Sequence, residues 1–173
     1  MELKKTIRTI PDFPKKGIQF RDITTLIKNS TAFCEVIDIF HRRYRKSKVN
    51  LVAGIESRGF IFGSALAYAL GVGFVPIRKQ GKLPAETISQ TYELEYGTDT
   101  LEIHSDAIQK GDSVLLVDDL IATGGSLAAA AKLIQRLGGE IVDIAVVIEL
   151  VDLKGRERIK PHNLFSLVSF EGE

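Results

Sequence analysis

Residues 114–130 read VLLVDDLIATGGSLAAA. The run Val114-Leu115-Leu116-Val117 predicts a strand covered on both faces, because a one-sided strand would alternate apolar and polar positions. The adjacent Asp118 and Asp119 project to opposite sides of such a strand. Two unpaired carboxylates are costly to bury, so the pair marks the strand's carboxyl end, the edge where open α/β sheets bind ligands. Gly124 and Gly125 permit a tight turn and close backbone approach. Free N–H groups opening the next helix favour a phosphate, and Thr123 and Ser126 offer hydroxyl donors. Taken singly, either hydroxyl residue is equally an ordinary helix cap. The segment is not a Walker loop, since GxxxxGK[ST] is missing, nor a dinucleotide fingerprint, since GxGxxG is absent.

Working outward, strands alternate with helices. Residues 31–45 read as a helix with Phe33, Val36, Ile37 and Phe40 on one face. A strand at 50–55 feeds the turn Glu56-Ser57-Arg58-Gly59 and a helix over 60–70 that Gly71 closes. Residues 74–77 form a strand ending in Arg78-Lys79. Residues 80–89 read as mobile, 91–96 as an extended arm, and 101–108 carry no clear period. A helix over 126–137 and a strand over 141–150 complete the alternation. This pattern predicts an α/β fold with a mostly parallel sheet flanked by helices, in a single domain spanning 1–173.

With 173 residues, the chain is long enough to bury a core as one domain. Its net charge of +1 gives no global electrostatic case for nucleic acid. The basic cluster Arg42, Arg43, Arg45, Lys46 and Lys48 reads as a solvated helix end. One cysteine, Cys34, excludes an internal disulfide framework, and its apolar-periodic setting suggests a core thiol. The start, MELKK, precedes no secretory apolar run, and no stretch of about 20 apolar residues occurs. A cytoplasmic protein with no membrane partner is expected.

Four more constellations stand out. Gly54-Ile55-Glu56-Ser57-Arg58-Gly59 turns from strand to helix at the same sheet edge. Arg78-Lys79-Gln80-Gly81-Lys82-Leu83-Pro84 gathers three cations around a flexible glycine, which suits a leaving polyanion; alone it is a basic solvated loop. Residues 11–24, PDFPKKGIQFRDIT, bring Phe13, Ile18 and Phe20 into a Pro/Gly-punctuated arm, and each of these is equally an anchor to the core. Tyr92-Glu93-Leu94-Glu95-Tyr96-Gly97 carries glutamates that would by themselves be surface residues.

The 114–130 segment resembles the signature of the type I phosphoribosyltransferases. That resemblance implies that Asp118 and Asp119 face the ribose hydroxyls of phosphoribosyl pyrophosphate (PRPP), while Ala122, Thr123, Gly124, Gly125 and Ser126 hold its 5′-phosphate. It assigns pyrophosphate to Glu56, Ser57, Arg58, Arg78, Lys79 and Lys82, with a cis Glu56-Ser57 bond. The 11–24 arm and the Leu-Glu-Tyr-Gly element are similar to the branch that takes adenine. There Phe20 would stack on the purine, backbone groups near Gln19 and Arg21 would read its edge, Glu95 would act as acid/base toward N7, and Tyr96 would lie near the ribosyl centre. Arg58 joins Glu95 and Tyr96 as a catalytic candidate. Residues 148–150 are similar to the strand end lining the base pocket, and Lys154-Gly155-Arg156-Glu157 to a late structural turn. The sequence departs from the branch at Gln80, Ala85 and Ser126, and none of these removes a proposed role.

The resemblance implies adenine and PRPP as substrates, AMP and pyrophosphate as products, Mg²⁺ as cofactor with no metal ligand directly assigned, and a homodimer. It also implies a base-covering hood at 8–24 and a flexible active-site loop at 78–96. Competing readings are a phosphoribosyltransferase for another base such as xanthine or orotate, a non-catalytic PRPP- or purine-sensing regulator of the same fold, and PRPP synthesis. The hood and the Leu-Glu-Tyr-Gly element oppose the first. The small size and charge leave little room for the regulator's nucleic-acid surface, and the chain is short for the duplicated synthase architecture.

Overall fold

In the computed structural model, which describes residues 2–94 and 97–172, the strand read from residues 114–117 is an interior strand of a sheet. It is β7 (Ser113–Ile121). It pairs in parallel with β3 (Leu51–Ile55) on one side and β8 (Glu140–Leu150) on the other. β4 (Gly73–Lys79) extends the parallel set beyond β3, and β9 (Leu164–Phe170) beyond β8. β6 (Thr98–His104) runs antiparallel to β4, and β5 (Thr87–Glu93) antiparallel to β6. The seven-stranded order is therefore β5-β6-β4-β3-β7-β8-β9. This is the expected α/β architecture, with an antiparallel flap where the sequence showed no clear period.

Side chains alternate across this sheet and build two cores. Leu115, Val117, Ala145 and Val147 face α2 (Ser30–Tyr44) and α3 (Arg58–Leu70). Val114, Leu116, Ile144 and Val146 face α4 (Gly125–Arg136). Burial on both faces is why β7 reads as an unbroken apolar run. The N-terminal β1 (Arg8–Pro11) and β2 (Gln19–Asp22) form a separate antiparallel ribbon ahead of the short α1 (Thr24–Lys28).

Some expectations need correction. Cys34 is exposed rather than in the core. The buried stripe of α2 is Ala32, Val36, Phe40 and Tyr44, and Cys34 sits two residues, about 200°, from Ala32. The cap of α2 is Asn29, whose side chain accepts from the Ala32 N–H at 3.1 Å. Arg43 is not simply solvated: it lies 4.0 Å over the Phe165 ring and 3.5 Å from the buried Asp143 carboxylate. Thr87 to Ser89 belong to β5, in register with β6.

Candidate active site

The chain leaves β3 toward β4 on one side of the sheet and later enters β7 and β8 on the other. The order thus reverses between β3 and β7, and a crevice opens beyond their carboxyl ends, the place where doubly wound sheets bind ligands. A cavity of about 570 Å³ occupies it, a size suited to a small molecule. Its walls include Glu56, Ser57 and Arg58 after β3, Asp118 and Asp119 on β7, and the loop 122–126 into α4.

β7 runs two residues beyond the aspartates, so both carboxylates are buried rather than marking the strand's last position. Two arrangements make this tolerable. Asp119 pairs with Arg58, Nε to Oδ2 at 2.5 Å, and Asp118 Oδ1 accepts the Asp119 N–H at 2.9 Å. Burial, and next the neighbouring Asp119 charge, push the Asp118 carboxyl well above the usual carboxylate range. α3 reaches this position because Gly59 has no side chain: a Cβ there would meet Asp118 Oδ1 at 2.9 Å and Val117 O at 3.0 Å.

Opposite the acidic pair lies a basic wall organised by one carboxylate. Glu56 accepts the Lys79 N–H at 2.6 Å, lies 3.3 Å from Lys82 Nζ, and pairs with Arg78 Nε at 3.3 Å. Burial opposes its ionisation, yet the Lys79 N–H and the Lys82 and Arg78 charges together hold its pKa below the ordinary glutamate value. Lys79 Nζ pairs with Asp99 at 3.0 Å. The Gly81 N–H is held by Glu102 at 3.0 Å. The Glu56-Ser57 bond is cis, as the resemblance implied. The third wall is the loop into a helix start: Gly124, in a left-handed conformation (φ 80°), turns the chain into α4, and residues 122–126 line the cavity where helix-opening N–H groups favour an anion.

The Phosphoribosyl transferase domain family matches residues 23–172. An adenine phosphoribosyltransferase of Desulfosudis oleivorans is 56% identical over 173 residues, covering all of both chains. The solved structure of adenine phosphoribosyltransferase from Thermoanaerobacter pseudethanolicus superposes with a TM-score of 0.94 at 53% identity, covering 98% of each chain. That of the Saccharomyces cerevisiae enzyme, complexed with an imino-altritol bisphosphate and adenine, gives 0.92 at 45% identity, over 96% of this chain and 97% of the other. The chain belongs to the adenine phosphoribosyltransferase family.

Of the residues singled out for this family, Glu56, Ser57, Arg58, Lys79, Lys82, Asp118, Asp119 and 122–126 converge on one cavity. Arg78 acts on it through Glu56. Gln19, Phe20 and Arg21 lie on β2 and do not line the cavity. There Phe20 packs edge-on against Phe13, centroids 5.1 Å apart, and Arg21 lies 4.2 Å over the Phe170 ring. Glu95 and Tyr96 fall outside the described residues. Tyr92 and Leu94 line the cavity without having been singled out for it. The alternation that places Ile88 and Tyr92 on one face of β5, with Leu94 just beyond its end, was the available signal, and what hid it was that β5 packs across α4.

Proposed function

We propose that the chain transfers the 5-phosphoribosyl group of PRPP to adenine, giving AMP and pyrophosphate, in purine salvage. The observation that carries this reading is the single cavity joining an acidic pair, a helix-opening anion loop and a basic wall, in a chain 56% identical to an adenine phosphoribosyltransferase over its whole length. Adenine N9 attacks ribose C1 as the C1–O bond to pyrophosphate breaks, with inversion. The electron pair leaves with pyrophosphate, and N9 loses its proton.

The loop 122–126 takes the 5′-phosphate on backbone N–H groups and on the Thr123 and Ser126 hydroxyls. Asp118 and Asp119 accept hydrogen bonds from the ribose hydroxyls, and the Asp119 charge favours positive charge developing at C1. Glu56, Ser57, Arg58, Arg78, Lys79 and Lys82 form the pyrophosphate side, where the cations offset charge on the leaving group. Gln19, Phe20 and Arg21, in the hood 8–24, close over adenine. The segment 78–96 moves to exclude water, which competes for the activated ribose. Glu95 is assigned the purine proton, and Tyr96 a role at the ribosyl centre.

Mg²⁺ fits this arrangement as an ion carried by the substrate. The described residues contain no cluster of three metal-ligating side chains, and Mg²⁺ is commonly held by phosphates, waters and one or two carboxylates. Asp119 and Asp118 line the same cavity and would be the carboxylates to hold the ion there. The ion would supply charge stabilisation of the leaving group.

The active unit is a homodimer. α2 and α3 leave an apolar groove containing Phe33, Ile37 and Ala65, and beside it Tyr68 is 90% exposed. A second copy of the chain covers it. The protein resides in the cytoplasm, in keeping with its single free cysteine; no helix among the described residues is long and apolar enough to cross a membrane.

The test supplies PRPP and Mg²⁺ with adenine, hypoxanthine, guanine, xanthine or orotate and follows nucleotide and pyrophosphate. Product forms with adenine alone at appreciable rate. PRPP binding without AMP formation would instead identify a sensor on this fold. Glu95→Gln lowers turnover more than PRPP binding; equal losses in both would make Glu95 structural.

A further inference from the structure

β8 ends beside the anion loop, since Glu149 is the register partner of Ile121. The chain then makes a 3-10 turn over Val151–Leu153. Lys154, in a left-handed conformation (φ 52°), admits the short α5 (Gly155–Arg158). Gly155 is buried against the loop with no room for a side chain. A Cβ there would lie 2.3 Å from Ala122 O and 2.8 Å from Ile121 Cγ1. From the other side, a Cβ on Gly124 would lie 2.6 Å from Gly155 O. The backbone at 122–124 is therefore moulded on the backbone at 155, glycine against glycine.

Arg156 fastens the turn from behind. Its Nε and Nη2 donate to Glu149 Oε1 and Oε2 at 2.5 and 2.6 Å, and its Nη1 to Leu164 O at 2.8 Å. Ser166 Oγ donates to the same Glu149 carboxylate at 2.6 Å. Burial works against charge on Glu149, but Arg156 and Ser166 together keep its pKa below the ordinary value. A bidentate pair of this kind fixes direction as well as distance. β8, β9 and the α5 turn thus close into one clamp around the floor of the loop.

We propose that Gly155, with Arg156 and Glu149 behind it, positions the 122–126 loop so that its N–H groups converge on the 5′-phosphate. These are positioning residues: they act through the loop and do not touch PRPP. The proposal rests on reading 122–126 as the 5′-phosphate loop. Preorganised donors must meet an anion within a narrow distance range, and a misplacement of about 1 Å can cost about 100-fold.

Calorimetric titration of the full chain with ribose 5-phosphate and, separately, with pyrophosphate tests both layers. The Thr123→Ala/Ser126→Ala double variant weakens ribose 5-phosphate binding; if it does not, the loop reading itself fails. Gly155→Ala weakens ribose 5-phosphate by about tenfold or more, and Glu149→Gln, which keeps the side chain's shape, by about threefold. Both leave pyrophosphate affinity within about twofold, since Gly155 bears on the phosphate loop rather than on the basic wall. If Gly155→Ala does not fold, Glu149→Gln carries the test. A lower Tm with ribose 5-phosphate affinity intact, or equal losses for both ligands, overturns the positioning role.

Discussion

Arg58 Nε donates to Asp119 Oδ2 at 2.5 Å, joining the first residue of α3 to the acidic end of β7. Asp118, one residue back, makes no ion pair among the described residues and accepts only the Asp119 N–H. The two carboxylates are adjacent in sequence but differ in chemistry. Asp119 is a buried charge compensated by Arg58, whereas Asp118 is a buried group whose proton is favoured. In the proposed PRPP complex the ribose hydroxyls would compete with Arg58 for Asp119, which would free Arg58 to meet the pyrophosphate.

Asp119→Asn tests that exchange. The variant keeps the side chain's shape but loses the charge that holds Arg58 and accepts a ribose hydroxyl. A charge-assisted hydrogen bond contributes about 1.5–3 kcal/mol, so KM for PRPP rises by about tenfold or more. The effect on kcat is smaller. Steady-state kinetics with PRPP varied at saturating adenine measure it, and an unchanged KM removes Asp119 from the ribose site.

Asp118→Asn separates function from stability. The folded Asp118 has a pKa above its unfolded value. As pH climbs past about 4, the unfolded chain releases a proton that the folded chain keeps. Folding stability falls from there until the folded group also ionises. Asparagine keeps the acceptor for the Asp119 N–H and has no charge to bury. The variant therefore melts higher than the wild type at pH 7.5, with the gap closing toward pH 4. Its PRPP binding weakens. Thermal melts at the two pH values decide; a variant less stable at pH 7.5 contradicts the burial argument.

The sheet was legible because strands buried on both faces leave long apolar runs, as at Val114 to Val117. The site edge was legible because its backbone chemistry is local: Asp-Asp, Thr-Gly-Gly-Ser and Glu-Ser-Arg-Gly each announce a turn and a charge. What the sequence could not carry was distance between segments. Nothing local reveals that Arg58 pairs with Asp119, that Glu56 gathers Arg78 and Lys82, or that Gly155 supports Gly124. Each depends on two strand ends meeting. Cys34 was misplaced for a related reason. An apolar helix stretch has a half-buried flank, and only the packing on the sheet shows which stripe of α2 lies innermost.

Glu56→Gln probes the basic wall. In this conformation the Glu56 carboxylate holds Arg78 and Lys82, the cations proposed for the pyrophosphate side. Glutamine still accepts the Lys79 N–H but no longer neutralises the two side chains. Removing a negative charge a few ångströms from a polyanion strengthens its binding. Pyrophosphate inhibition therefore tightens by about three- to tenfold at low ionic strength, and the difference shrinks in salt. Slower product release lowers kcat. A pyrophosphate inhibition constant that weakens instead would show Glu56 acting mainly as the scaffold of the wall.

Asp22 ties the N-terminal ribbon to the body of the protein. Its Oδ1 accepts the Thr24 N–H and hydroxyl at 2.9 and 2.6 Å, and its Oδ2 accepts Arg8 Nε at 3.0 Å. The Thr24 hydroxyl, then Arg8, lower its pKa to about 2. With the folded pKa below the unfolded one, this contribution is complete above about pH 4 and is lost as pH falls through about 2. Asp22→Asn therefore destabilises the ribbon by about 1 kcal/mol at pH 7, discounted because Arg8 is solvent-screened. Near pH 2 it makes no difference. Hydrogen exchange of residues 8–22 at both pH values reads the change. If this ribbon is the base-covering hood, the same variant raises KM for adenine more than KM for PRPP. Equal rises would place the ribbon's role in overall stability rather than over the base.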